Sequence, residues 1–492
     1  MVRLTAAILA LALCGLGQPA QASPLWGSDE IRRARPGIEA EALMLDVRTE
    51  TIIPGKSPEV TLGVVTLAPS FTYIVGGNEH LLEDHALCRS LSWRSRDRTF
   101  SNDSCYAAVA FRRLELENRK LISALLTKAG SAAQGHDLLY RSETELGVHD
   151  SATALATAAK AADGIDYRLG DEVVARISGL AGPATPQEMR LVGRWLARYA
   201  KLHPQVRHDI TAGAGVPARV ESTVGPGSGE TTRQIMTLSN LRRARVAYPL
   251  AGGLRSTLAV DASQGAMPRD VAVRRAQAVL AGAAPKPNAG AVADAMQKAA
   301  SEGRPLEATL LFLELTQEQM EALKPDASGQ NALLAKIRAV LTRKLLDTPD
   351  VAQLMTANAL AGSADSPGNR EAAARYLANA GKMDAMAFGT FRRVTYANLV
   401  RNSPDTEKWD AKIAASMPAS LVDNYWIHIA AHPWSSNTFK DAGDSYLGGY
   451  DTPSAWAAFD LGRAVDPDWR AGPMAGLARY EAALRANEPD FF

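Results

Sequence analysis

Cysteine is scarce in this chain, the two signs of charge are balanced, and long apolar runs are missing beyond Leu16. Three cysteines in 492 residues exclude a scaffold held by many disulfides, and a four-cysteine zinc cluster with it. A formal net charge of +1 lacks the basic excess of a nucleic-acid binder, so no nucleic-acid partner is expected. The run from Leu4 to Leu16 is too short to cross a bilayer, and no later run reaches the roughly 20 residues of a membrane helix. What is present is an ordinary globular composition, 46% apolar and 22% charged, with abundant alanine suited to closely packed helices.

The N-terminus carries the marks of a secretory leader. Arg3 supplies the basic start, Leu4 to Leu16 the apolar core, and Ala20-Gln21-Ala22 the small-x-small pattern before cleavage after Ala22. The expected location is therefore periplasmic or secreted, with no integral membrane segment once the leader is removed. Cleavage also removes Cys14 and leaves Cys88 and Cys105, an even count that favours a disulfide in an oxidising compartment. Closing that loop stabilises a fold by about 3 kcal/mol in the chain-entropy picture. The competing reading is two buried thiols.

Patterning divides the chain. Leu43, Leu45 and Val47 alternate with more polar neighbours, and Pro54-Gly55-Lys56-Ser57-Pro58 reads as a turn. Val60 to Leu67 and Phe71 to Val75 are β-branched or aromatic runs. Residues 35–110 thus read as a small β or α+β domain, with a polar, Arg-rich loop inside the cysteine bracket. From Ala107 the spacing turns helical. Leu114, Leu121, Ile122 and Leu125 form an expected core-facing stripe, and further helices are predicted at 151–162 and 186–202 in a helical segment spanning 111–204. Over 205–268, Val216–Val224 and Thr231–Leu238 pair in a predicted hairpin across Gly225–Glu230. Val246–Leu250 and Thr257–Val260 form another, and the whole is expected to be a short β insertion or a loop. Over 269–492 helices alternate with short breaks: 291–301, 305–315, 330–346, 349–361, 369–380, 384–401, 406–415 and 419–431.

Within that last segment, Phe439, Ala442, Gly443, Tyr446, Ala455, Phe459 and Pro467 have the spacing of a helical-hairpin signature. The stretch 436–469 resembles one tetratricopeptide repeat. The resemblance implies a mainly α fold: a C-terminal α-solenoid of such hairpins over 269–492, closed by a helix at 473–486, beside the smaller β-containing N-terminal domain. It also implies a protein-binding scaffold, with Asn437, Lys440 and Asp444 on the concave face toward a ligand peptide. The alternative for those three is a solvated surface.

Few residues advertise chemistry, and no cofactor is expected. His428 and His432, four apart, share one face of a helix as in bidentate zinc sites, but no Glu lies between them as in a His-Glu-x-x-His site. The competing reading has both packed structurally. His80 and His85 flank Glu83 and Asp84; a loop that converged them would make a metal or acid–base site, against a plain polar loop. Gly225–Glu230 has a carboxylate where a phosphate-binding loop needs lysine. The function expected is an exported scaffold that binds a protein or an envelope component. The alternative is an envelope hydrolase or metalloenzyme using His428/His432 or the His80/His85 region.

Overall fold

The computed structural model describes residues 23–149, 156–224, 231–351 and 421–492, apart from 36, 38, 285, 319, 326–328, 330, 350, 467–468 and 470–473. The described residues group into two compact units. One holds the chain up to Val260 together with Tyr450–Asp460 and Gly476–Phe492; the other holds Asp261–Gly449 and Leu461–Ala475.

The first unit is built on a twelve-stranded sheet, and this overturns the mainly α expectation. Strands β1 (Glu39–Ile52), β2 (Glu59–Ala68), β3 (Phe71–Gly76), β4 (Glu79–Asp84), β5 (Arg89–Arg94) and β6 (Thr99–Ser104) form one antiparallel meander. A second meander runs through β7 (Thr157–Lys160), β8 (Gly164–Leu169), β9 (Glu172–Pro183), β10 (Gly215–Val224) and β11 (Thr232–Ala247). The two join through β1 and β11, the longest strands, in antiparallel register from Glu39↔Ala247 to Ile52↔Arg233. A short parallel strand, β12 (Arg255–Ser256), closes the far edge on β6. The predicted β10/β11 hairpin exists, but it is the middle of the sheet and not an insertion. The predicted second hairpin does not form, since Thr257 begins a helix.

The sheet has a core on each face, as the two-residue period of a strand requires. On one face Leu43, Leu45, Val65, Leu67, Val220 and Met236 pack under α4 (Pro186–Tyr199) and α5 (Pro204–Ala212), which bring Met189, Val192, Trp195, Val206 and Ile210. On the other, Ala42, Phe71, Leu82, Leu91 and Phe100 pack with Ile31 of α1 (Ser28–Ala34). Full burial of each large side chain stabilises by about 1.5–3 kcal/mol. The start of α4 follows its sequence: Thr185 accepts from the Glu188 N–H, Glu188 returns a bond to the Thr185 N–H, and Pro186 takes the first helical position.

Two helices between the meanders, α2 (Cys105–Lys128) and α3 (Ala132–Leu146), complete this part of the unit. The expected core stripe on α2 is corrected. Leu121, Ile122 and Leu125 face solvent, and the buried positions are Val109, Leu116 and Ser123 instead. Residues 157–160, expected at the end of a helix, are strand β7.

The second unit is helical. Helix α6 (Thr257–Gln264) crosses the boundary after Val260; α7 (Pro268–Leu280), α8 (Ala289–Ser301), α9 (Pro305–Glu318), α10 (Ala332–Val340) and α11 (Arg343–Leu346) follow. Its core is Val292, Met296, Leu306, Leu310, Leu311 and Ile337. Helices α12 (Leu421–Ala431) and α13 (Ser436–Gly448) pack on each other, and α14 (Thr452–Val465) and α15 (Ala475–Asn487) end the chain's helices. The helices expected at 369–380, 384–401 and 406–415 lie outside the described residues. Among the described residues no helix is long and apolar enough to cross a membrane.

The repeat-like stretch does fold as two helices, α13 and α14. Phe439, Ala442, Ala455 and Phe459 are all buried. Yet the unit boundary passes through α14 after Asp460, and the expected closing helix α15 belongs from Gly476 with the sheet. A solenoid needs each hairpin to stack on its like; here the hairpin's residues are divided between two units. Asp451 caps α14, its Oδ1 accepting from the Ser454 N–H at 3.1 Å. The tight approach in the second unit is at Gly462, where a Cβ would stand 2.8 Å from Phe439 Cβ. Pro467 lies outside the described residues.

Candidate functional site

Cys88 and Cys105 stand at disulfide distance, with Cα atoms 5.0 Å apart. The β4–β5 turn that presents Cys88 is built on Asp84, whose Oδ1 accepts from the N–H groups of Ala86 and Leu87 at 3.0 Å each. Cys105 opens α2, and its N–H donates to the Cys88 carbonyl at 3.0 Å.

His80 and His85 do not converge. They belong to β4 and its end, and an odd spacing along a strand puts side chains on opposite faces. His80 stacks on Trp93 at 5.0 Å between ring centres, and its Nδ1 shares a hydrogen bond with the Tyr73 hydroxyl at 2.6 Å. His85 contacts Thr72 Oγ1 at 3.1 Å. Burial, and then the charges of Arg194, Arg198 and Arg35, push the His85 pKa down to about 2, so it is a neutral packing residue.

A groove of 730 Å³ opens on β2–β6. Its floor follows from the register. Leu45, Val65, Ile74, Leu81, Ser92 and Ser101 are successive cross-strand partners on β1 to β6. Leu45 and Val65 are fully covered, Ile74 and Leu81 are half-buried, and Ser92 is exposed. The row therefore changes from apolar and covered to hydroxyl-bearing and open. Arg198 and Tyr199, the last residues of α4, both reach Glu83, at 3.1 and 2.8 Å. Two residues back along β4, Leu81 already lines the groove. Glu79 and Arg94, cross-strand partners 3.5 Å apart, and Asp97 put both signs of charge on the groove wall.

The second cluster is Glu143, His149 and His203, whose ligand-type atoms lie within 4.8 Å of one another. Among the described residues it is the one group of three His, Cys, Asp or Glu side chains so placed. Glu143 comes from the last turn of α3, His149 from the loop after it, and His203 caps α5. The Gln205 N–H donates to His203 Nδ1 at 3.3 Å, so the ring proton sits on Nε2, which donates to Glu143 Oε2 at 2.8 Å. Tyr140 stacks on the same ring at 4.7 Å. His149 Nδ1 is 3.4 Å from Glu143 Oε1; its side chain is 42% exposed where that of Glu143 is fully buried. Nothing in the sequence pattern pointed to this trio, whose members are 6 and 60 residues apart from Glu143 on three different elements.

His428 lies in the last turn of α12 and His432 one residue past its end, with the two rings 4.4 Å apart between centres. Both are buried, and Nδ1 of one is 3.1 Å from Nδ1 of the other. Among the described residues no third Cys, Asp, Glu or His joins them at ligand distance. Asn437, Lys440 and Asp444 share a face of α13: Asn437 and Lys440 are half-buried, Asp444 is exposed, and Lys440 and Asp444 pair with each other. No protein-family model matches this chain, and no curated protein matches it significantly.

Proposed function

We propose that this chain is an exported protein that binds an extended segment of a partner protein in the groove on β2–β6. The observation that carries the reading is the row Ile74–Leu81–Ser92–Ser101, apolar at one end, hydroxyl-bearing at the other, and flanked by Glu79, Arg94 and Asp97. A peptide offers that mixture of apolar side chains, backbone polar groups and both charges. A polyanion is disfavoured by the two carboxylates against one guanidinium. Export is supported by the leader-like N-terminus and by Cys88 and Cys105 at disulfide distance.

Selection of peptides from a random display library on the full chain tests this. Enriched peptides are expected to bind the wild type at micromolar strength and to lose at least about tenfold on Leu81→Arg, which places a charge on the groove floor. Enriched peptides that bind Leu81→Arg equally, or a library with no enrichment, contradict the reading.

A further inference from the structure

We propose that Glu143 and His149 bind a divalent transition-metal ion such as zinc, with His203 holding the Glu143 carboxylate in place from behind. This goes beyond the peptide-binding reading and does not depend on it.

The tautomer of His203 decides the arrangement. With Nδ1 accepting from the Gln205 N–H and Nε2–H donated to Glu143 Oε2, neither His203 nitrogen offers a lone pair to a metal. To ligate, that histidine would have to give up its bond with the Gln205 N–H at Nδ1 or its bond with Glu143 at Nε2. What it does is orient a fully buried carboxylate, as hydrogen-bonded partners of ligating carboxylates do in metal sites. The other oxygen, Oε1, faces His149 Nδ1 at 3.4 Å. Zinc takes nitrogen and oxygen ligands at about 2.0–2.2 Å, and two such ligands at a tetrahedral angle stand about 3.4 Å apart. The pair is therefore spaced as one edge of a coordination tetrahedron. The solvent-facing side of His149 leaves the remaining positions to water or to a ligand.

The trio is also held rigidly enough for a site. Glu143 rides on α3, His203 is locked by the α5 cap and by stacking on Tyr140, and His149 is three residues past the end of α3. His428 and His432 are the competing pair in the other unit, and the experiment separates the two.

Cobalt(II), followed by its visible absorption, and zinc, followed by competition, are titrated into the full chain. One equivalent is expected. His149→Ala, at a half-exposed position, should abolish it with the melting curve unchanged, and Glu143→Gln should do the same if it folds. His203→Gln should weaken binding about 10- to 100-fold, and His428→Ala should leave it untouched. No binding by the wild type, or binding that survives in folded His149→Ala, overturns the proposal. Wild-type affinity in His203→Gln overturns the role given to His203.

Discussion

Tyr199 donates its hydroxyl to Glu83 Oε1 over 2.8 Å, tying the last residue of helix α4 to the end of strand β4. The bond joins residues 116 apart in sequence and sits where the helix stops covering the sheet. Burial, together with the Glu83 charge, raises the Tyr199 pKa well above its ordinary value, so the phenol remains the donor. Removing it with Tyr199→Phe should destabilise the fold by about 1.5–3 kcal/mol, the range for a buried hydrogen bond to a charged group. Urea unfolding at neutral pH reads this as a lower midpoint at unchanged slope.

Arg112 joins two helix ends. Its guanidinium donates to the carbonyls of Leu146 at 2.6 Å, Ala197 at 2.9 Å and Arg198 at 2.8 Å, covering groups that the last turns of α3 and α4 leave unpaired. Burial first, then the charges of Arg198 and Arg207, pull its pKa down to about 10, so it remains charged at neutral pH. Lysine offers one ammonium where a planar fork reaches three carbonyls. Arg112→Lys should therefore cost about 2 kcal/mol in a thermal melt, and a wild-type melting curve would remove the capping role.

Glu488 makes stability depend on pH. Burial raises its pKa to about 7, against the downward pull of Arg113 and Arg207. A carboxyl whose folded pKa is raised holds its proton better folded than unfolded, so its contribution is complete below the ordinary carboxyl range near 4.5 and is lost as pH rises through about 7. Glu488→Gln should flatten the decline in stability between about pH 4.5 and 7 relative to wild type. Parallel pH profiles of the two proteins would contradict this.

The pair Cys88 and Cys105 closes a loop with a sequence separation of 17. Peptide mapping by mass spectrometry without reduction should recover the two cysteines joined. Cys105→Ser should lower stability by about 3 kcal/mol, as loss of a closure of that length does.

What the sequence disclosed was local. The β-branched runs 43–47, 60–67 and 71–75 fall inside β1, β2 and β3, and the Thr185-Pro186 start is the start of α4. The 291–301 and 305–315 helices appear as α8 and α9. What it concealed was non-local or masked by composition. Alanines at 158–159 read as helix although Asp163-Gly164 and Gly170-Asp171 are hairpin-turn pairs, because an exposed edge strand such as β7 has no apolar alternation to show. Strands β4 to β6 read as a polar loop because their outer face carries Ser90, Ser92 and Ser101. The β1–β11 pairing that makes one sheet of two meanders joins residues about 190 apart, and no local pattern encodes such a partner choice. The groove inherits the second of these omissions, since β4 to β6 make up most of its floor. The repeat signature was a correct reading of two helices and an incorrect reading of what they stack on.

The groove is the central claim, and hydrogen–deuterium exchange of the full chain with and without a selected peptide tests it most directly. Slowed exchange confined to residues 59–104 is the result expected. Slowed exchange on residues 436–448 instead, around Asn437, Lys440 and Asp444, would contradict it and move binding to helix α13.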